Sequence, residues 1–257
     1  MVKLSKRLQT IAGYVPEGAR LADIGSDHAL LPVYLAERGR VSFAVAGEIN
    51  AGPLAAADKQ VKLAGLGSVV SVRQGDGLAV IGPGEADVVT IAGMGGSLIA
   101  TILEEGSAKL AGVRKLVLQP NVAEDQVRRW LTAHDWVLED ETIVEEDGKY
   151  YEVLSAVRHP EPLHANAELY RPRPLEGCGM LESDELVRFG PYLTLRPNDV
   201  FFRKWASEAD KLDRIAEGMA RGGTEAAAQR RKEFEAERDR IKEVMRCLQK
   251  AKPSSSS

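Results

Sequence analysis

Residues 20–28 read RLADIGSDH, a short apolar run that ends in a polar turn with a single glycine. The run is typical of a buried strand, and a small residue at its end lets a ligand approach the backbone where the next helix begins. A phosphate-binding turn would need Gly-x-Gly-x-x-Gly, but Asp27 and His28 stand where glycines are required. Since Asp23 and Asp27 would repel a pyrophosphate, the turn favours a cationic ligand group.

The stretch belongs to a half of the chain in which apolar runs alternate with helical patterns, which predicts an α/β fold with a mostly parallel sheet. The predicted strands are Arg20–Ile24, Ser42–Glu48, Val69–Arg73, Asp87–Ile91 and Lys115–Leu118. The predicted helices are Leu30–Arg38, Pro53–Ala64, Ser97–Glu104 and Glu124–His134. Right-handed crossovers would place these helices on both faces of the sheet.

The end of this half predicts an antiparallel hairpin. Trp136–Val144 and Lys149–Val157 are strand-like and flank an Asp-Gly turn. Dinucleotide dehydrogenases reach their last strands by helical crossovers. The hairpin therefore favours the Rossmann-like sheet of methyltransferases that use S-adenosylmethionine, whose sulfonium also suits an acidic turn.

Composition narrows the class of protein. With 257 residues, 44% of them hydrophobic, the chain can bury a sizeable core. No apolar run reaches the roughly 18–20 residues that span a bilayer, and the N-terminus lacks the apolar block of a signal peptide, so we expect a cytoplasmic protein without a membrane partner. Cys178 and Cys247 are too few for a disulfide framework or a four-thiolate zinc site, and we expect neither a metal nor an oligomer.

The second half has a different organisation. Six prolines interrupt residues 158–200, which predicts a connector with short helical pieces between the methyltransferase domain, 1–157, and a helical segment, 201–252. Two apolar stripes separated by Gly222-Gly223 predict that this segment is an antiparallel coiled-coil hairpin, with a frayed tail over 253–257. The stripes consist of Trp205, Ala209, Leu212, Ile215 and Met219, and of Ala227, Phe234, Ile241, Val244 and Leu248.

Acidic residues and glycines follow the second to fourth strands, where open α/β sheets bind ligands. Glu48 ends the second strand and can accept both hydroxyls of a ribose. Asp76, between two glycines after the third strand, is placed to accept from an adenine amino group, and Ala92–Gly96 leaves room for a substrate. The alternative is structural: the glycines only shape turns, and Glu48 caps the next helix.

Polar side chains also follow the fifth strand. Gln119 and Asn121 can hydrogen-bond the edge of a nucleobase, and Pro120 between them would hold both rigidly. The alternative is that Asn121 caps the helix that begins near Glu124.

These motifs together resemble the bacterial tRNA (adenine-22-N1)-methyltransferases. The stretches that carry the resemblance are DIGSDHA at 23–29, GEIN at 47–50, GDGL at 75–78, AGMGG at 92–96 and QPN at 119–121. One position departs from the family pattern, because Leu30 replaces a tyrosine. If the target base stacks on that ring in relatives, this protein must hold the base otherwise or less tightly.

The resemblance implies methyl transfer from S-adenosylmethionine to N1 of an adenine in tRNA. The residues implied to bind the cofactor are Asp23, Gly25, Glu48, Asn50, Asp76, Gly77 and Gly93. The residues implied to act at the target base are Asp27, whose carboxylate stabilises positive charge, His28, which lines the pocket, and Gln119 and Asn121, which orient the base.

An RNA substrate would give the C-terminal helices a function. Residues 201–257 carry 14 basic and 10 acidic residues, a net charge of +4, in a chain whose net charge is −4. The expected phosphate contacts are Arg230, Arg231, Lys232, Arg238 and Lys242. Two alternatives stay open: a small-molecule or protein methyltransferase, and a non-catalytic protein of this fold that docks a partner through its coiled coil.

Overall fold

The computed structural model describes residues 2–219 and 225–251. The chain divides into two compact units, Met1–Glu168 and Leu169–Ser257. The first unit contains seven strands: β1 (Ala19–Ile24), β2 (Val41–Glu48), β3 (Val70–Gln74), β4 (Val88–Met94), β5 (Lys115–Pro120), β6 (Trp136–Glu146) and β7 (Lys149–Arg158). Its helices are α1 (Lys6–Tyr14), α2 (Leu30–Glu37), α3 (Ala51–Leu63), α4 (Gly96–Glu105), α5 (Glu124–Ala133) and α6 (Pro162–Leu169), the last of which crosses the boundary.

The seven strands form one sheet in the order β3-β2-β1-β4-β5-β7-β6. The first five strands pair in parallel, whereas β7 pairs antiparallel with both β5 and β6. Strand order reverses between β1 and β4, and the crevice at such a reversal is where open α/β sheets bind ligands. The predicted α/β fold with its terminal antiparallel hairpin is confirmed.

Burial explains why the central strands are continuous apolar runs. In β1 every residue except Arg20 is buried, because helices cover both faces of a parallel sheet. In the β6–β7 turn, Asp147 and Gly148 both have positive φ, 51° and 71°, which matches the right-handed twist of a tight hairpin.

One predicted strand end is wrong in a way that affects the site. The sequence predicts that the fourth strand ends at Ile91, but β4 continues to Met94. The register of β4 with β5 shifts between Ala92 and Met94. Gly93 lies in this bulge with φ of +81°, a backbone conformation that glycine adopts without strain. The predicted glycine loop is therefore a bulged strand end.

The second unit is mainly helical. It contains β8 (Arg173–Pro174), β9 (Met180–Leu181), α7 (Ser183–Phe189), α8 (Pro191–Leu195), α9 (Asp199–Met219) and α10 (Glu225–Ala251). Short elements occupy most of the stretch 158–200, for which the sequence predicts a connector. The long helices are antiparallel, since Asp213 in the second half of α9 pairs with Arg238 near the middle of α10, and Phe202 near the start of α9 shares a cavity with Gln249.

The predicted apolar stripe of α9 needs one correction. Ile215 is 42% exposed, whereas the neighbouring Ala216 is buried. A straight α-helix has 3.6 residues per turn, so a seam assigned with a 3.5-residue repeat drifts off the buried face over several turns. The predicted glycine break at residues 222–223 and the tail at 253–257 lie outside the described residues.

The two cysteines are linked in this structure. Cys178, between β8 and β9, forms a disulfide with Cys247 of α10. Their sequence predicts no shared role, because they stand 69 positions apart and only the fold brings them together. Among residues 2–219 and 225–251, no helix is long and apolar enough to cross a membrane.

Candidate active site

Asp23 lies at the carboxyl end of β1 with almost no exposure to solvent. On the neighbouring strand β4, Thr90 Oγ1 donates a hydrogen bond of 2.5 Å to its Oδ1. Burial raises the pKa of this carboxyl to about 6, although nearby Ser26, Thr90 and the positive charge of Arg7 all lower it. The Ser26 hydroxyl is itself buried and makes no hydrogen bond of good geometry within the described residues. A hydrogen-bonding group beside Asp23 is therefore still available to a ligand.

Glu48 ends β2 beside β1 and is also buried. Its Oε1 accepts the backbone N–H groups of Ile49 and Asn50 at 3.0 and 3.1 Å, just before α3 begins. Its Oε2 has no partner among the described residues. The alternative that Glu48 only caps the next helix therefore accounts for one of its two oxygens. Asn50 is exposed at the N-cap position of α3.

Asp76 follows β3, which is the next strand outward. Its side chain is exposed and makes no capping hydrogen bond to the short 3₁₀ helix Gly77–Val80 that it precedes. Gly77 has φ of +49°, a backbone conformation that glycine adopts without strain. The three carboxylates of Asp23, Glu48 and Asp76 thus end three adjacent parallel strands.

The turn after β1 is close-packed and strained. Gly25 has φ of +69°, and a Cβ at this position would lie 2.2 Å from Met94 Cε. His28 and Ala29 both have positive φ, an uncommon conformation for residues that carry a Cβ. The turn presents Asp27 and His28 to solvent with side chains 81% and 55% exposed, and His28 Nε2 lies 3.3 Å from Asp27 Oδ1.

On the other side of β1, Gln119 of β5 is completely buried. Its Oε1 accepts from Arg7 Nη1 at 2.6 Å and from the Gly93 backbone N–H at 3.1 Å. Its Nε2 donates to the Pro120 carbonyl at 2.7 Å and to Asn121 Oδ1 at 3.2 Å. The Gln119 amide therefore connects α1, the β4 bulge and the segment after β5.

Asn121 lies in the exposed segment after β5, but its amide is used within the protein. Asn121 Nδ2 donates to the Gly93 carbonyl at 2.7 Å, and the Asn121 backbone N–H donates to the Met94 carbonyl at the same distance. The helix-cap alternative is wrong, because the N-cap of α5 is Ala123 and no side chain caps it.

Arg7 is a residue of the site that the sequence motifs do not predict. Its guanidinium contacts Gln119, lies 5.4 Å from the centre of the Tyr151 ring, and would be 3.5 Å from a Cβ on Gly93. No strand-end motif includes Arg7, and a basic residue on an amphipathic helix is predicted to be a solvated side chain. Only the packing of α1 shows that Arg7 reaches the site.

The predicted phosphate contacts lie in the second unit and differ in their surroundings. Arg238 and Lys242 both bind Asp213, which raises the pKa of Arg238 and lowers that of Asp213. Arg231 pairs with Glu235 one turn away. Arg230 and Lys232 are exposed and have no ion-pair partner within the described residues.

Within residues 2–219 and 225–251, no group of three or more His, Cys, Asp or Glu side chains could hold a metal ion. A parallel sheet with a terminal antiparallel hairpin, and acids at the ends of β1, β2 and β3 in place of a phosphate-binding glycine turn, define the site of a Rossmann-like S-adenosylmethionine-dependent methyltransferase.

Comparison with known proteins identifies the family. A family model described as tRNA (adenine(22)-N(1))-methyltransferase matches residues 21–245. The tRNA (adenine(22)-N(1))-methyltransferase of Bacillus subtilis is 47% identical over 245 residues, which cover 95% of this chain and 98% of that protein. The chain belongs to the tRNA (adenine(22)-N(1))-methyltransferase family, as its motifs predict.

Solved structures agree with this assignment. The crystal structure of the B. subtilis enzyme TrmK matches with a TM-score of 0.82 and 46% identity, covering 95% of this chain and 100% of that one. Protein Sp1610 of Streptococcus pneumoniae, solved in complex with S-adenosyl-L-methionine, matches with a TM-score of 0.77 and 40% identity over 95% of this chain and 100% of that one.

Proposed function

We propose that this chain transfers a methyl group from S-adenosylmethionine to N1 of adenine 22 in tRNA. The observation that carries the proposal is the row of acids at the ends of β1, β2 and β3 in a member of this family. A tRNA substrate also supports a cytoplasmic location.

The residues at this edge fit the methyl donor. Glu48 Oε2 and the exposed Asp76 carboxylate are free acceptors for hydroxyl and amino groups, which the ribose and adenine of the donor possess. Asp23, at the end of the central strand, offers a carboxylate to the ammonium of the methionine portion. Arg7, whose charge acts on Asp23, has guanidinium N–H groups left to donate to the methionine carboxylate. Gly93 leaves space that a Cβ would fill, since a Cβ there would lie 3.5 Å from Arg7 Nη1.

Few catalytic groups are needed for this reaction. When bound, the donor supplies a methyl group made electrophilic by its sulfonium. N1 of adenine has an in-plane lone pair, so no base has to remove a proton before attack. The protein contributes mainly by holding the reacting atoms in line. Asp27 is an exposed carboxylate beside the site and would stabilise the positive charge that develops on the base. His28, whose Nε2 lies 3.3 Å from Asp27 Oδ1, would line the pocket.

Gln119 and Asn121 hold in place the segments of the site to which they are hydrogen-bonded. We assign Gln119 a positioning role, because its buried amide fixes Arg7 and the Gly93 bulge at once. Asn121 fixes the same bulge from the other side. The backbone on the substrate side of the donor is therefore preorganised by two amides.

The hairpin supplies the RNA contacts. Arg230 and Lys232 have the features of phosphate contacts, since they are exposed cations without a competing carboxylate among the described residues. Arg238 and Lys242 would first have to leave Asp213, so we expect them to contribute less.

Methylation of an unmodified tRNA transcript tests the proposal. We expect mass spectrometry to find 1-methyladenosine at position 22, and a transcript with guanine at that position to stay unmodified. Asp27→Ala should lower turnover while donor affinity, measured by calorimetry, stays unchanged. Glu48→Ala should weaken donor binding by about 1–3 kcal/mol, because a hydroxyl then loses its acceptor. Absence of methylation by the wild-type protein would contradict the proposal.

A further inference from the structure

Two large apolar side chains are exposed on the substrate side of the proposed site. Leu98, in the first turn of α4, is 51% exposed, and Val122, two residues after β5, is 63% exposed. A single exposed apolar residue needs no explanation. These two lie on neighbouring segments at the carboxyl ends of adjacent strands, and Val122 Cγ2 would be 3.9 Å from a Cβ on Gly95.

The backbone that carries them is held firmly. The Gly96 N–H donates to the Val122 carbonyl at 2.8 Å, and a Cβ on Gly96 would lie only 2.0 Å from the Ala123 carbonyl oxygen. Asn121 adds hydrogen bonds to the carbonyls of Gly93 and Met94. Leu98 and Val122 therefore keep their places without a ligand, and little backbone entropy is lost when a ligand packs on them.

The strand-end segments of the site contain one aromatic ring, the imidazole of His28, whose Nε2 lies 3.3 Å from Asp27 Oδ1. The segments that follow the five parallel strands, residues 25–30, 49–52, 75–78, 95–98 and 121–125, contain no Phe, Tyr or Trp. A base presented to the methyl donor has left its own stack and loses that contact. The face of the base then needs apolar cover, which the exposed side chains of Leu98 and Val122 can supply.

We propose that Leu98 and Val122 form an aliphatic clamp that packs against the face of the target adenine while its N1 edge meets the methyl donor. This inference rests on the proposed function. It assigns the base a binding surface that does not use the polar side chains of Gln119 and Asn121, which are engaged within the protein.

Tryptophan substitution gives a direct test. A tRNA transcript with 2-aminopurine at position 22 is bound to the full-length protein in the presence of S-adenosylhomocysteine, and fluorescence is measured. We expect a rise with wild-type protein, since the base leaves its stack for an aliphatic surface. Val122→Trp and Leu98→Trp should quench this rise by stacking on the base. Leu63→Trp is the matched control, because Leu63 is 75% exposed at the end of α3 that points away from the carboxyl ends of the strands.

Kinetics provide a second measurement. Val122→Ala removes two carbons from the contact and should lower kcat/KM for tRNA by about tenfold. Donor affinity and unfolding temperature should not change, and Leu63→Ala should match wild type. Equal fluorescence of the Val122→Trp and Leu63→Trp complexes, or a fall in donor affinity that accounts for the kinetic loss, would overturn the clamp. Failure of wild-type protein to methylate tRNA would instead reject the proposed function.

Discussion

The α/β unit buries a cluster of three charged side chains completely, whereas the ion pairs of the helical hairpin are partly exposed. In the α/β unit, Arg128 and its partners Glu141 and Glu152 have no exposed side-chain surface, and Asp23 is nearly as buried. In the helical hairpin, the side chains of the ion pair Arg231–Glu235 are 44% and 32% exposed. Charges that have lost water must have partners, either within the protein or from a ligand, whereas hydrated charges are free to meet a phosphate at little cost.

This contrast separates structural charge from functional charge within the α/β unit. Arg128 Nη2 lies 2.6 Å from Glu141 Oε2 and 2.5 Å from Glu152 Oε2, so this cluster is satisfied internally. Asp23 is buried too, but burial raises its pKa to about 6 because its neighbours compensate it incompletely. The incompletely compensated acid is the one at the carboxyl end of a central strand, where a ligand would bind.

The largest expected effect is on the buried cluster. Arg128→Leu leaves two glutamates without their shared cation and should lower the free energy of unfolding by about 3–5 kcal/mol in urea denaturation. Arg231→Ala in the hairpin, the matched control, should lower it by no more than about 0.5 kcal/mol, since the pair is exposed. Similar losses for both variants would show that burial does not distinguish the two units.

Backbone packing should show the next largest contrast. Gly96→Ala places a Cβ 2.0 Å from a backbone oxygen, so the segment after β5 must move, and we expect a loss of about 1–3 kcal/mol in stability. The rate of methyl transfer by this variant should also fall, because the displaced segment lies at the site. Gly218→Ala in α9 meets no atom within 4 Å and should stabilise the hairpin by up to about 1 kcal/mol. Full methylation activity in the Gly96→Ala variant would contradict the close packing at this edge.

The raised pKa of Asp23 predicts a pH dependence of donor binding. The ionised carboxylate is the form that attracts a cationic ligand, and with a pKa of about 6 it is mostly present at pH 7 and mostly lost at pH 5. Donor affinity measured by calorimetry should therefore fall about tenfold over this range. Asp23→Asn should bind weakly with little change between these pH values. An unchanged wild-type affinity at pH 5 would argue against this contact.

The smallest effects are expected on the hairpin surface. Replacing Arg230 and Lys232 with alanine should weaken tRNA binding severalfold and reduce its logarithmic salt slope by about 1.5, the value for two lost phosphate contacts. Arg238→Ala should change the slope less, because Arg238 already pairs with Asp213. A larger slope change for Arg238→Ala would reverse this assignment.

The sequence alone predicts the order of strands and helices and the acids at the ends of β1, β2 and β3. These features depend on local patterns, because strand periodicity and turn residues act over a few neighbouring positions. The strand-end acids meet at one edge whenever the strands are parallel and adjacent, so no long-range contact had to be known to place Asp23 near Glu48.

Only the tertiary structure brings Arg7 to Gln119 and joins Cys178 to Cys247. It also buries Arg128 between two glutamates. On α9 it exposes Ile215 and buries Ala216. It also decides the bulge at Gly93 and the pKa of Asp23. Each of these depends on groups far apart in the chain, on desolvation, or on the drift of a real helix against an ideal repeat. Local sequence determines which residues are available, but the dielectric environment and partners of a side chain exist only once the chain has folded.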